Sequence, residues 1–227
     1  IIFTPGDVVF SSSAFIESAP PRIHAEKLAV LMQEEKITFK DLRDALAKFT
    51  GTRVHVVGDT IVDSYTYGSV IGGMTKTPTF SVKFERQIDY VGGAAVVAKH
   101  IRQAGATVKF STVLGDDELS KFVLADLAKA GVETNAVIDK TRPTTQKNAI
   151  IAGGYRLLKL DKVDNRAISD NVLSKMKASI QSSKDQQAFV FSDFRHGIFS
   201  KRTIPELTAA LPQGPLRIAD RQVASRW

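Results

Sequence analysis

The chain has no cysteine among its 227 residues and no long apolar run. The first absence excludes disulfides and thiolate metal sites, and is compatible with a reducing cytoplasm. No stretch approaches the roughly 20 apolar residues of a membrane span, and no charged-then-apolar signal segment opens the chain. A soluble, cytoplasmic protein with no membrane partner is expected. Histidine is sparse as well: His196 has no ligand-spaced companion among His24, His55 and His100, so no metal site is expected. There is no Ser-His-Asp set, no cysteine nucleophile and no GxxxxGK[ST] loop. Gly72-Gly73 and Gly153-Gly154 lack the GxGxxG spacing of a dinucleotide fingerprint.

An apolar content of 43% is enough for a real core, and the length suits one main domain with an appendage. The formal charge of +7 raises nucleic-acid binding, because basic proteins gain affinity by displacing phosphate counterions. Its distribution argues the other way. Lys83, Arg86, Lys99, Arg102, Lys109, Lys121 and Lys129 are scattered, and no helix-turn-helix, RNP or zinc-finger pattern accompanies them. A solvated surface and a basic cleft for an anionic small ligand remain as readings.

The chain opens without methionine on an apolar, strand-like run, Ile1 to Ile16, and Pro20-Pro21 punctuates it as a linker would. This start reads as a cut. Helical spacing follows over 24–35 and 38–49; the second helix has Thr38 as N-cap, Asp41 three residues on, and Phe39, Leu42, Ala45, Leu46 and Phe49 along one face. From Arg53 strands and helices alternate. Strands are expected at 54–57, 107–113, 188–191 and 216–219, and helices at 94–103, 118–130, 169–182 (a polar one) and 204–210. Exposed, alternating strands are expected at 64–72 and 79–86, and a strand pair at 148–152 and 156–161 turns on Gly153-Gly154. Such a chain gives an α/β fold: a doubly wound, mostly parallel sheet and a small second sheet.

Candidate site residues collect where strands end. Asp59 and Asp63 follow Val54-His55-Val56-Val57, the place where open α/β sheets bind ligands. Each carboxylate could hold a polyol, or Asp59 could cap a turn and Asp63 face water. Gly92-Gly93-Ala94-Ala95 reads as a joint between flap and helix, or as a helix N-terminus facing an anion. Asp193 has the same strand-end placement as Asp63, and Asp117 reads as the N-cap of the helix that follows it.

Five stretches together carry a resemblance: VHVVGDTIVDSYTYG (54–68), YVGGAAVVA (90–98), STVLGDDELS (111–120), RPTTQKNAIIAGGYRLLKLD (142–161) and FSDFRHGIF (191–199). In this order they resemble the ribokinase-like (PfkB) carbohydrate kinases, and within them the D-glycero-D-manno-heptose 7-phosphate kinase group of ADP-heptose synthesis. The resemblance implies a doubly wound sheet with a β lid, at about 64–90 and 148–160, that often pairs with a neighbour's lid in a homodimer. It implies transfer of the γ-phosphoryl of ATP, with Mg2+, to a hydroxyl of a sugar or sugar phosphate. By the resemblance Asp63 would bind the sugar, Gly92 and Gly93 would form the hinge and line the site, Lys147 would lie near a sugar phosphate, and Asp193 would face the substrate pocket; Asp59, from its strand-end position, is expected among the substrate-binding residues.

The departures from that pattern matter too. Val96 stands where GGAANVA has asparagine, Asn148-Ala149 follows Lys147 where TTxKTR has an arginine, and Arg195-His196 replaces the Gly-Lys of SDYGKG. A valine cannot replace an amide's hydrogen bonds, so such a site should not read the same hydroxyls. The family's GAGD-type anion hole and base would lie beyond Trp227, as would most of the adenine site. The expected organisation is therefore a tail resembling a cytidylyltransferase domain over 1–21, a helical connector over 22–50, and the N-terminal, substrate-binding part of a kinase domain over 51–227, inactive alone. A non-catalytic binding or scaffolding domain on the same fold is the competing expectation.

Overall fold

β-Branched runs punctuated by glycine set the strands, and apolar residues at helical spacing set the helices between them. The computed structural model describes residues 22–72 and 79–221; among these are six helices and nine strands. The opening run, the Pro20-Pro21 linker, Gly73 and Trp227 lie outside the described residues. The chain divides into two compact units between Ala47 and Lys48.

In the first unit, α1 (Arg22–Glu34) and α2 (Phe39–Ala47) are joined by a short turn. The α2 cap follows from the sequence: the Asp41 backbone N–H donates to Thr38 Oγ1 at 3.2 Å, and the Thr38 N–H donates to the Asp41 carboxylate at 2.7 Å. This reciprocal pair satisfies two donors that a bare helix start leaves open. It also lowers the Asp41 pKa, the hydrogen bond from the Thr38 side chain most of all.

The second unit runs β1 (Arg53–Gly58), β2 (Thr60–Gly72), β3 (Ser81–Gly93), α3 (Ala94–Gln103), β4 (Thr107–Leu114), α4 (Glu118–Lys129), β5 (Glu133–Ile138), β6 (Gln146–Ala152), β7 (Tyr155–Lys162), α5 (Asp170–Gln181), β8 (Ala188–Asp193), α6 (Thr203–Ala209) and β9 (Leu216–Arg221). One sheet has the order β5-β4-β1-β8-β9 and is parallel throughout. Because side chains alternate along a strand, each of its faces has its own core. Val54, Val56, Val108, Phe110 and Val190 pack with Ala94, Ala98, Val123 and Leu127 of α3 and α4. Val57 and Phe189 face the other way, onto Val172, Met176 and Ile180 of α5 and Leu207 of α6. The sheet is doubly wound, as expected.

Three elements differ from the sequence reading. β5 was not expected, since Glu133-Thr134-Asn135 opens it with polar residues; pairing with β4 makes it an edge strand. α5 is amphipathic rather than polar, because Val172, Leu173, Met176 and Ile180 are buried on one side while Ser169 caps its start. A polar thread survives on that side: buried His55 Nε2 and Ser111 Oγ lie 2.7 Å apart, Ser111 and Ser179 hydroxyls 2.7 Å apart, and Asn135 Nδ2 donates to Ser179 at 2.9 Å. Burial holds the His55 pKa down at about 3.

The third difference lies in the second sheet, of order β3-β2-β6-β7, where only the β2–β6 pair is parallel. β2 and β3 run 13 residues each, reaching back to Thr60 and on to Gly93, well past the bounds expected at 64 and 86. The extra length is the buried root: Ile61, Val62 and Val91 are enclosed while Val70, Ile71 and Phe84 further out are exposed. Gly153 and Gly154, at φ 57° and 80°, make the β6–β7 turn; two adjacent positive φ angles are the mark of a type I′ hairpin. No helix among the described residues is long and apolar enough to cross a membrane.

Candidate functional site

Pairing register assembles the site. Asp63 was expected at the end of the first buried strand; it is instead the fourth residue of β2, opposite Tyr90 of β3 and beside Lys147 of β6. Lys147 in turn pairs with Asp161, and Ala149 with Lys159. Partners across a ladder share a face, so one face of the second sheet gathers Asp63, Lys147, Lys159 and Asp161. A pocket of about 110 Å³ opens there, lined by Asp63, Tyr65, Lys147, Ala149, Arg156 and Lys159 among others. Burial raises the Asp63 pKa, while Lys147 and Lys159 pull it back down and Asp161 pushes it up. In the pocket lining one carboxylate meets three cations, with Asp161 beside Lys147 on the same face, and this suits a ligand that offers both hydroxyls and a negative charge.

The two glycines at the end of β3 have separate tasks. A Cβ on Gly92 would lie 2.5 Å from Asp63 Oδ2, so the missing side chain leaves the carboxylate its room. Gly93 is held at φ 62°, and a Cβ there would meet the Asp59 carbonyl oxygen at 2.5 Å. That oxygen accepts the first N–H of α3, from Ala94, at 2.9 Å. Gly93 thus turns the chain from flap strand into helix.

Asp59 is 2% exposed and its carboxylate is taken up internally. Oδ2 accepts from the backbone N–H of Phe194 at 3.1 Å and of His196 at 3.3 Å, and Oδ1 from Ile198 at 3.2 Å. These three hydrogen bonds tie the carboxylate to the loop 194–198. Burial pushes its carboxyl up to about 6, against those N–H groups and with Asp193 adding repulsion. Asp193 closes β8, is 8% exposed, and accepts the Arg195 N–H at 2.7 Å. The strand ends of β1 and β8 are therefore tied to one tight loop, in which Arg195 takes φ 66° and Gly197 φ 101°.

The same loop reaches the cationic face through His196. Its Nδ1 lies 2.7 Å from Asn165 Oδ1, and its buried Nε2 has no hydrogen-bond partner among the described residues. Burial first, then Lys147, lowers its pKa to about 4, with Asp161 and Asp193 opposing. Arg142 fastens the loop from below: Nε donates to Asp139 at 3.0 Å, Nη1 to the His196 carbonyl at 3.5 Å and Nη2 to the Arg166 carbonyl at 3.2 Å. Asp117 caps α4 through the Ser120 N–H at 3.0 Å, as expected, and also accepts the Thr144 N–H at 2.9 Å, pinning the entry to β6.

Asp63, Gly92 and Lys147 are thus brought together, while Asp59 and Asp193 organise the loop at the strand ends. Lys159, Arg156 and the tyrosines of β2 and β3 were not foreseen. Strand alternation marks Lys159, which with Asp161 occupies every second position of β7 on the face that Lys147 shares; Arg156 joins that face only through the register shift between Ile150 and Ile151. Among the described residues no group of three or more His, Asp or Glu side chains could hold a metal ion, so these residues do not fit a site that grips magnesium by protein ligands alone.

Comparisons with known proteins place the chain in a family. Residues 52–202 match the description pfkB family carbohydrate kinase. The Bifunctional protein HldE of Bradyrhizobium diazoefficiens is 30% identical over 166 residues, 71% of this chain and 34% of that protein. The D-beta-D-heptose 7-phosphate kinase of Bordetella bronchiseptica is 37% identical over 109 residues, 48% of this chain and 35% of that protein. The chain spans about a third of the length of these curated relatives. In fold, the phosphofructokinase-2 from Escherichia coli in complex with fructose-6-phosphate superposes with a TM-score of 0.59 at 17% identity, over 76% of this chain and 56% of that one.

Proposed function

The chain belongs to the pfkB family of carbohydrate kinases, and from that membership we propose that the protein it represents phosphorylates a sugar phosphate at the expense of ATP, this chain holding the acceptor. One observation carries the reading: Asp63, Lys147, Lys159 and Arg156 line a single pocket. A carboxylate accepts hydrogen bonds from two sugar hydroxyls at once, and three cations balance a phosphate dianion. The acceptor is therefore one that already bears a phosphate, and heptose phosphate, the substrate class in a relative's name, falls within it. Gly92 leaves Asp63 free to meet the sugar, and Gly93 lets the flap swing as a lid over it. Asp59 and Asp193 hold the loop 194–198 that floors the crevice.

ATP would supply the phosphoryl group in this reading, and magnesium bound to it would neutralise part of its charge. The acceptor half contributes position and charge, the larger part of what phosphoryl transfer demands of a protein. A homodimer through the lid goes with the reading, since Leu158 and Leu160, which partner Ile150 and Asn148 on the opposite face, are exposed. The competing reading, a non-catalytic binding domain, is favoured by Val96, which puts an apolar side chain on the first turn of α3 just past the hinge.

Calorimetric titration of this chain with glucose 6-phosphate, fructose 6-phosphate and the unphosphorylated sugars tests the acceptor. The phosphates should bind at least about tenfold more tightly, and Lys147→Ala should remove most of that preference. Equal affinity for phosphorylated and bare sugars overturns it. Turnover of ATP with a sugar-phosphate panel by the full-length protein separates kinase from binding domain.

A further inference from the structure

The face that carries the cationic pocket continues past Asp63 in the other direction, and there its chemistry changes. A second, wider cleft of about 370 Å³ is lined by Asp63, Tyr65, Tyr67 and Tyr90. Asp63 and Tyr65 belong to both clefts, so the two form one continuous surface. On the β6–β7 side of that boundary the lining is cationic; on the β2–β3 side it is aromatic. Three of the chain's four tyrosines, Tyr155 being the exception, line the aromatic side.

These rings are held in place before any ligand arrives. Tyr65 and Tyr90 meet edge to face with centroids 5.9 Å apart, and the Arg86 guanidinium sits 4.5 Å from the Tyr67 ring centroid. Tyr90 remains 54% exposed. Cross-strand aromatic packing alone would stabilise the sheet, yet it does not explain why the rings surround a carboxylate and leave a cleft between them. Fixed tyrosines offer large contact area at little entropic cost, and their hydroxyls hydrogen-bond as well. The C–H faces of a sugar ring stack on such surfaces while its hydroxyls reach Asp63.

We propose that the Tyr65–Tyr67–Tyr90 cleft is a second sugar-ring subsite, so that the acceptor is a phosphorylated glycoside of at least two rings, one at the Lys147 pocket and the next stacked on the tyrosines. This rests on the acceptor reading above, and it narrows that reading by fixing the acceptor's size: a one-ring sugar phosphate such as heptose phosphate would fill only the Lys147 pocket.

The test uses this chain with ring-labelled tyrosine, whose four NMR signals include Tyr155 as an internal reference on the β6–β7 hairpin. The probes are glucose 6-phosphate and the disaccharide trehalose 6-phosphate. The disaccharide should shift the signals of Tyr65, Tyr67 and Tyr90 but not Tyr155, and should bind on the order of tenfold more tightly than the monosaccharide. Tyr67→Leu and Tyr90→Leu should each bring the disaccharide's affinity toward that of glucose 6-phosphate, and Tyr67→Phe should keep most of the advantage. Equal affinities for the two probes, both still dependent on Lys147, would overturn the subsite and leave the sugar-phosphate reading standing. Binding of neither probe overturns both. Shifts of the three signals that follow protein concentration without sugar would show a second copy of the chain covering the face, and would overturn the subsite too.

Discussion

The inner strands β1, β4 and β8 of the parallel sheet are largely enclosed, while the long strands β2 and β3 of the mixed sheet are buried only at their root. In the parallel sheet, β1 is enclosed along all but its first residue, and Val56, Val57 and Phe110 have no exposed surface. In the other, every residue of β7 is exposed and β3 becomes buried only at Val91-Gly92-Gly93. The first sheet draws its stability from apolar area removed from water. The second depends on its ladder, on polar cross-strand pairs such as Ser64 with Asp89 at 2.5 Å and Gln146 with Ser64 at 2.8 Å, and on its root. The difference teaches where function can sit. A sheet with a bare face can present charged and aromatic side chains to a ligand, and one anchored at a single end can move against its neighbour.

Core truncation should show the widest gap between the two sheets. Phe110→Ala should lose about 3–5 kcal/mol in chemical denaturation, and Leu160→Ala, 62% exposed on β7, no more than about 0.5 kcal/mol. Comparable losses would mean that the second sheet has a core of its own.

Next comes the junction between the sheets, read through pH. The buried Asp59 carboxyl is pushed up to about 6, above its unfolded value, so the native state holds the proton more tightly. Its contribution to stability is then fully present below the unfolded pKa and is lost as pH rises through about 6, a change of at most roughly 3 kcal/mol. His196, lowered to about 4, works in the opposite sense: its contribution is present above the unfolded histidine value and is lost as pH falls through about 4. The stability difference between the wild type and Asp59→Asn isolates the aspartate. It should shrink from about pH 4 to about pH 7, and a difference that grows would show the carboxylate to be favoured by its N–H donors.

The smallest effect on stability should come with a clear effect on binding. Gly92 has no positive φ to protect, so Gly92→Ala should alter stability by less than about 1 kcal/mol. Its new methyl must nevertheless displace Asp63 Oδ2, and affinity for sugar phosphates should fall about tenfold. Loss of folding with unchanged affinity in the folded fraction would assign Gly92 to the scaffold instead.

Much of the fold was legible because its signals are local. Thr38 and Asp41 cap a helix three residues apart, Asp117 and Ser169 do the same, and Gly153-Gly154 can turn a hairpin without help from the rest of the chain. β5 was hidden because Glu133, Thr134 and Asn135 look like loop until β4 offers them a ladder. The site was legible in part. Asp63 and Lys147 stood out through motif resemblance, but the strand-end placement given to Asp63 was wrong, since nothing local says that β2 begins at Thr60. Asp59 looked like its twin in sequence, and differs from it because three backbone donors from 194–198 converge on one and not the other.

By itself the sequence determined the alternation of strand and helix, the caps and turns, and membership of a carbohydrate kinase family, because short-range sterics and ordered motifs carry all three. Only the tertiary structure decided that Lys147 and Lys159 share a face with Asp63, that Gly92 makes room for that carboxylate, and that three tyrosines gather on its other side. The reason is physical. Which strand a strand pairs with, and in which register, is settled by contacts across some eighty residues of chain, from Asp63 to Lys147, and a one-residue slip would turn every one of these side chains to the opposite face.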